Sequence, residues 1–258
     1  MRLNAMVKIA IIGCLVLLLS ACASLGEVGD VERRASTTNV QLAIGYLKKG
    51  NLDIAEEKVK RALDLNWKNP DAHTAAAFVY DALLKPDLAE KHFKYAIEFA
   101  PENGASYNNY GTFLCKQQRW KESVEYFVKA AQTPRYPTPA YALENAGACA
   151  LQIPDPNLAE SYLRQALKSN PKLPTALLEM AKISFSKNKD LSVRAYLQRY
   201  EEVAQHTPQS LWLGIQSERR LGNQQAVSRY AKLLQTQFPD SSEFKRLLQQ
   251  EEQQRAGS

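Results

Sequence analysis

Three stretches of this chain end almost alike. AEEKVKRALDLN begins at Ala55, AEKHFKYAIEFAP at Ala89 and AESYLRQALKSNP at Ala159. The first two start 34 residues apart. Self-similarity at a fixed period of this length constrains the fold more than any other feature of the chain. One such unit is too small to bury its own apolar face, so neighbours must stack to share a core. A single closed core or a sheet-based domain is excluded wherever the period holds.

The recurring residues have a steric logic. In a 34-residue unit, small residues fall at positions 8, 20 and 27, large ones at 4, 7, 11 and 24, and proline often at 32, a pattern that resembles the tetratricopeptide repeat. From Pro70 the chain supplies Ala77, Tyr80, Ala89, Phe93, Ala96 and Pro101. From Gly104 it supplies Tyr107, Tyr110, Gly111, Leu114, Phe127 and Ala130, with Ser123 as a small substitute for alanine. Upstream, Ser36 to Asn69 carries Leu42, Ala43, Tyr46, Gly50, Ala55 and Ala62, with Trp67 where proline is usual. After Ala131 the register slips by two across TPRYPTPA. Ala140 then opens a unit with Gly147, Ala159, Leu163, Ala166 and Pro171. Pro174 opens one with Met180, Ala181, Leu197 and Tyr200, in which Val193 takes a small position. A sixth, from about Thr207, has Leu213, Gly214, Ala226, Tyr230 and Leu233.

The expected fold class is therefore all-α: a tetratricopeptide-repeat superhelix of about six helix-turn-helix repeats. The boundaries fall near 36–69, 70–103, 104–139, 140–173, 174–206 and 207–240, with 241–258 as a capping helix and tail. Gly50, Gly222, Lys85-Pro86-Asp87 and Asp155-Pro156-Asn157 interrupt the helices where the first of each pair must turn into the second. In the last segment, Phe244, Leu247 and Leu248 lie on one face of an amphipathic helix that ends in QQEEQQR, as a solvating cap should.

The N-terminus reads differently. Arg2 and Lys8 precede an apolar run from Ile9 to Leu19, 11 residues long and interrupted only by Gly13 and Cys14. A spanning helix needs roughly 17–25 residues, a signal h-region roughly 7–15. The run fits the second. Leu19-Ser20-Ala21-Cys22 resembles a bacterial lipobox: aliphatic, small, small, cysteine. The resemblance implies cleavage after Ala21, a diacylglycerol thioether on Cys22 and acylation of the new terminus. Residues 1–21 are then a signal peptide and 22–35 a lipid-attached tether. Each buried lipid methylene contributes about 0.8 kcal/mol, and one chain anchors only marginally, so several are needed. The alternative is a plain secretory signal with an incidental cysteine. Ala23, in place of an aspartate that would imply inner-membrane retention, favours the outer membrane, with the repeats in the periplasm. Loss of Arg2 and Lys8 lowers the formal charge from +6 to +4. The charges are scattered rather than clustered, so no nucleic-acid partner is expected.

Chemistry is sparse. His73, His92 and His206 have no metal-ligand spacing around them, and no phosphate loop or nucleophile elbow occurs. His92 reads as a partly exposed residue of a second helix. Glu56 and Lys60 exemplify ordinary i,i+4 surface pairing. No metal, no cofactor beyond the covalent lipid and no catalytic residue are expected, so the chain reads as a non-enzyme. Cys115 and Cys149 are also 34 residues apart and fall near the same place in adjacent first helices. A disulfide is geometrically conceivable there, but two buried free thiols are favoured.

In tetratricopeptide superhelices the first helices line the concave face, through positions 2, 5, 9, 12 and 13. In the first repeat these are Thr37, Val40, Ile44, Leu47 and Lys48. In the second they are Asp71, Thr74, Phe78, Asp81 and Ala82. Val40, Ile44, Leu47 and Phe78 are apolar where a solvated surface would be polar. Such a patch marks a groove for a helix or extended peptide, or else it is covered by the segment Val28 to Ala35. The third and fourth repeats offer Asn108, Thr112, Lys116, Glu144 and Gln152, a mixed polar set without the clustered cations that clamp a C-terminal carboxylate.

The central block is more specific than a generic repeat. NNYGTFLC from Asn108, the P-x-Y-P-x-P-A connection from Pro134 to Ala140, ENAG-x-CAL from Glu144 and RAYLQRY from Arg194 resemble the type IV pilus biogenesis lipoproteins called PilF or PilW. The likeness spans essentially the whole mature chain. It departs at Gln118, where glycine often closes the third repeat's first helix, and at Val193. It implies a pilotin: a monomeric outer-membrane lipoprotein that binds secretin subunits of the type IV pilus and promotes their localisation and multimerisation. Composition and repeat alone also fit a general outer-membrane scaffold for peptidoglycan enzymes or β-barrel assembly.

Overall fold

The computed structural model describes residues 29–256, apart from residue 156. Among the described residues there are thirteen α-helices and no strands. The first, α1, spans 29–48. It is followed by α2 (Leu52–Leu65), α3 (Pro70–Ala82), α4 (Pro86–Phe99), α5 (Gly104–Lys116), α6 (Trp120–Gln132) and α7 (Pro139–Ala150). Then come α8 (Leu158–Ser169), α9 (Pro174–Ser186), α10 (Asp190–Glu201), α11 (Pro208–Arg220), α12 (Gln224–Gln237) and α13 (Ser242–Ala256). Six helix pairs and a terminal helix give the all-α tetratricopeptide-repeat fold. One difference concerns the tether: α1 begins at residue 29, so 29–35 is helical rather than linker. The lipobox, including Cys22, lies outside the described residues. No described helix is long and apolar enough to cross a membrane.

The packing of the described residues resolves into two compact units, divided between Tyr110 and Gly111. In the N-terminal unit α2 packs on α3 and α3 on α4. In the C-terminal unit the pairs α7/α8, α9/α10 and α11/α12 are joined by contacts of α6 with α7, α8 with α9 and α10 with α11. Helix α13 closes this unit against α11 and α12. Leu247 is buried there and Phe244 half-buried, but Leu248 points outward.

Close approach within a pair depends on the small position 8 facing the large position 24. A Cβ added to Gly147 would lie 2.6 Å from the Leu163 side chain, and one added to Gly214 would lie 2.8 Å from the Tyr230 ring. Phe127 crowds Gly111 in the same way. The next repeat then packs on a dense, mostly aliphatic layer, such as Leu163, Leu173, Leu177 and Met180.

The turns inside the pairs also repeat. Gly50, Leu84, Gln118, Asn188 and Gly222 all have positive φ, between 55° and 76°. After each, an amide reaches back five residues to close the helix: Asn51 to the Tyr46 carbonyl, Lys85 to Tyr80, Arg119 to Leu114, Lys189 to Ser184 and Asn223 to Glu218. This is the Schellman closure, which favours glycine because it requires a left-handed residue. Leu84 and Gln118 adopt it without being glycine. In the fourth pair the carboxylate of Asp155 instead accepts the amides of Asn157 at 3.0 Å and Leu158 at 3.2 Å, capping α8. Lys85-Pro86-Asp87 lies where α3 gives way to α4, and Pro86 begins α4, where its missing N–H costs nothing.

Candidate functional site

The groove expected from the sequence belongs to the N-terminal unit. Val40, Ile44 and Leu47 recur at i, i+4 and i+7 on α1 and are half-buried, while Thr37 and Lys48 at either end are exposed. On α3, Thr74, Phe78 and Asp81 are half-buried, and Asp71 and Ala82 exposed. Phe78 meets Phe93 edge-on at 5.6 Å, and Phe93 stacks on Tyr110 at 5.9 Å. The hydroxyls of Thr74 and Thr37 donate, each at 3.0 Å, to the carbonyls of Pro70 and Arg33 on their own helices. Residues 29–35 form the first turns of α1, so this part of the segment does not fold back over the groove.

One buried polar group registers these helices. Ser36, fully buried on α1, donates at 2.8 Å to the carbonyl of Ala62 near the end of α2. It accepts from Asn69 Nδ2 at 2.9 Å. Asn69 in turn caps α3, its Oδ1 accepting the amides of Asp71 at 3.0 Å and Ala72 at 3.3 Å. At the other end of the pair, Glu56 on α2 pairs with Lys60 at 3.0 Å and Lys85 at 3.4 Å. The hydrogen bond from Lys60 is the main cause that holds the Glu56 carboxyl below the usual range.

Elsewhere the structure changes three sequence-based readings. Glu144 is not a groove residue open to solvent. It is 6% exposed, and its Oε1 accepts the Ala176 amide at 2.7 Å in the first turn of α9. Burial raises its pKa, partly offset by that amide. Cys115 and Cys149, for which free thiols were favoured, form a disulfide with a Cα–Cα distance of 6.0 Å. Adjacent first helices bring the two positions within bonding geometry. His92, expected to be partly exposed, is buried against His73. Spacing could not reveal this contact, because it occurs in one repeat only and leaves no periodic trace.

The arrangement nearest to a catalytic relay lies at the junction of the fifth and sixth repeats, between α10 and α11. His206 lies 3.0 Å from Ser210 Oγ through Nδ1 and 3.3 Å from Glu201 Oε2 through Nε2. Ser210 is fully buried, and its hydroxyl accepts the Thr207 amide at 2.9 Å in a capping box. A helix cap accounts for the serine completely. Among the described residues no group of three potential metal ligands occurs.

No family model matches the chain. PilF of Pseudomonas aeruginosa, a type IV pilus assembly protein, is 28% identical over 243 residues, covering 92% of this chain and 96% of that protein. A solved structure of P. aeruginosa PilF superposes with a TM-score of 0.75, spanning 85% of this chain and 99% of that one. The crystal structure of PilW, a widely conserved type IV pilus biogenesis factor, is 33% identical over 83% of this chain and 98% of its own, with a TM-score of 0.70. The chain belongs to the PilF/PilW family of type IV pilus biogenesis proteins. YrrB, a tetratricopeptide protein with an unusual peptide-binding site, matches at 14% identity and a TM-score of 0.58. That likeness bears on the fold alone.

Proposed function

We propose that this PilF/PilW protein is a pilotin. It is an outer-membrane lipoprotein, anchored through Cys22, whose first two repeats capture secretin subunits and promote their multimerisation in type IV pilus assembly. The observation that carries the reading is the apolar wall of Val40, Ile44, Leu47 and Phe78 on α1 and α3, half-buried but uncovered by the chain's own residues 29–35. A set of aliphatic and aromatic side chains on rigid helices suits an apolar segment of a partner protein. The lipobox Leu19-Ser20-Ala21-Cys22 supports the location. In this reading the lipid fixes where the captured subunit is delivered, and the protein acts by binding, without chemistry of its own.

The test is a gel. A strain lacking the protein accumulates secretin monomers in place of heat-resistant multimers, and Val40→Glu with Ile44→Glu reproduces that loss while the repeats remain folded. Normal multimers in the deletion strain refute the pilotin assignment. Normal multimers with the double substitution alone move the contact away from this groove. Cys22→Ala leaves the repeats folded and displaces them from the outer-membrane fraction.

A further inference from the structure

The second repeat encloses two histidines that neither the groove nor the repeat pattern explains. His73 on α3 is 0% exposed and His92 on α4 is 8% exposed. Their Nδ1 atoms are 2.8 Å apart, and His73 Nε2 lies 2.7 Å from the Trp67 carbonyl in the connection between α2 and α3. A carbonyl only accepts, so His73 carries its proton on Nε2. As a neutral ring it then has a lone pair at Nδ1. The short Nδ1–Nδ1 contact therefore requires His92 to donate from Nδ1. Two bonds fix both tautomers and link three segments: the α2–α3 connection, α3 and α4.

The surroundings are aromatic. Trp67 meets His73 edge-on at 4.9 Å, and Tyr95 and Phe99 flank it at 5.1 and 5.3 Å. Tyr80 stacks on His92 at 5.3 Å. The charged groups that bear on the rings are Glu98, which favours a cation on His73, and Lys91, which opposes one on His92. Beyond Tyr80 lie Glu56 and Lys60 of α2, with Lys85 over its ring.

We propose that His73 and His92 form an acid-sensitive clasp, which holds α3 on α4 while both rings are neutral and releases them on protonation. A first proton can enter at His92 Nε2 without breaking either bond, but it places a cation among aromatic rings. A second sets two N–H groups against each other at a contact that admits one hydrogen, and the clasp must open. Burial drives both pKa values down, that of His92 to about 4. An unfolded histidine titrates near 6.5. The clasp's contribution is therefore complete above about pH 6.5 and is lost as pH falls from there toward the folded values. Thr74, Phe78 and Asp81 share α3 with His73, so opening would disorganise one wall of the groove; this consequence rests on the groove reading proposed above.

The test uses the full chain in detergent, without any partner. Acidification from pH 7.5 to 4.5 lowers the wild-type melting midpoint by about 5–10 °C more than that of His92→Gln, which can still donate to His73 Nδ1 but does not titrate. Amide exchange in α3 and α4 rises over the same range in the wild type. If the variant does not fold, nitrogen NMR of the wild-type imidazoles at pH 7.5 decides: His92 is protonated at Nδ1 and His73 at Nε2. An Nε2-protonated His92, or equal acid losses in wild type and variant, overturns the clasp. Neither readout involves secretin, so failure of the groove reading would leave this result standing, and the reverse.

Discussion

Ser36 and Asn69 are 33 residues apart in sequence and 2.9 Å apart in the fold. Ser36 lies within α1, two turns from its start, whereas Asn69 is the N-cap of α3. The serine hydroxyl also donates to the Ala62 carbonyl, so one buried group joins α1, the end of α2 and the cap of α3. Helices α1 and α3, which carry the proposed groove, are thereby registered by a polar contact rather than by apolar packing alone.

Ser36→Ala should be felt well beyond its volume. It leaves the buried Asn69 side-chain amide without that acceptor, while the Ala62 carbonyl keeps the Asn66 amide, a cost of about 1–3 kcal/mol. Denaturant unfolding measures the loss. Amide exchange should locate it in α1 and the start of α3, and an unchanged midpoint would show that water replaces the hydroxyl.

Leu84 and Gln118 mark places where the fold demands glycine and the chain does not supply it. Leu84 has φ 57° and is 84% exposed, so it gains little from packing. A left-handed non-glycine residue costs about 1–2 kcal/mol, and glycine's greater unfolded freedom returns about 0.5–1 kcal/mol of that. Leu84→Gly and Gln118→Gly should therefore each stabilise the protein by about 0.5–1 kcal/mol. Asn188→Gly should be nearly neutral, because asparagine tolerates this conformation. Gly50→Ala should destabilise although no atom lies within 4 Å of the added Cβ. Equilibrium unfolding of the four variants checks the ordering.

These turns show what the sequence discloses and what it conceals. The period is legible because Ala43, Ala77, Gly111, Gly147 and Gly214 are small for a steric reason that recurs every repeat. Gly50 and Gly222 announce their turns. Leu84, Gln118 and Asn188 do not, because the closure is made by backbone atoms and any residue can be forced into it. Glu144 and the histidine pair were misread for a related reason. Each is a single contact between elements, and a single contact leaves no periodic trace. The repeat geometry assigned Val40, Ile44, Leu47 and Phe78 to the first helices, and the structure gives them as half-buried residues of α1 and α3. The pairing of Cys115 with Cys149 was legible as proximity, since 34 residues is one repeat, but spacing does not choose between thiol and disulfide.

The disulfide should matter for stability in the C-terminal unit. It closes a loop of 34 residues by sequence separation, which in the chain-entropy description removes about 3–4 kcal/mol of unfolded-state freedom. Cys115→Ser with Cys149→Ser, or reduction of the wild type, should lower the unfolding free energy by up to about that amount while helical circular dichroism is retained. Because Cys149 and the neighbouring Ala146, Ala150 and Phe127 are packed in one cluster, the unit should remain folded. Identical unfolding with and without reductant would show that the bond contributes nothing in solution.

Glu144 should produce a pH dependence of opposite sign to that of the histidines. Its carboxylate caps α9 through the Ala176 amide, a favourable placement for an anion at a helix N-terminus, but burial raises its pKa above the ordinary value of 4.5. In the unfolded chain the group ionises near 4.5; in the folded protein it ionises at higher pH. Between those points the unfolded state loses its proton first, so wild-type stability falls as pH rises through the folded pKa. Glu144→Gln keeps an oxygen to accept the Ala176 amide and removes the buried charge. It should be close to wild type or more stable at pH 7.5, and the wild type should regain ground as the pH approaches 4.5. Glu144→Ala lacks the acceptor and should be about 1–3 kcal/mol less stable than Glu144→Gln at every pH. Subtracting the Glu144→Gln unfolding curve from that of the wild type cancels the histidine contribution common to both. A flat difference would mean that the carboxylate is solvated after all.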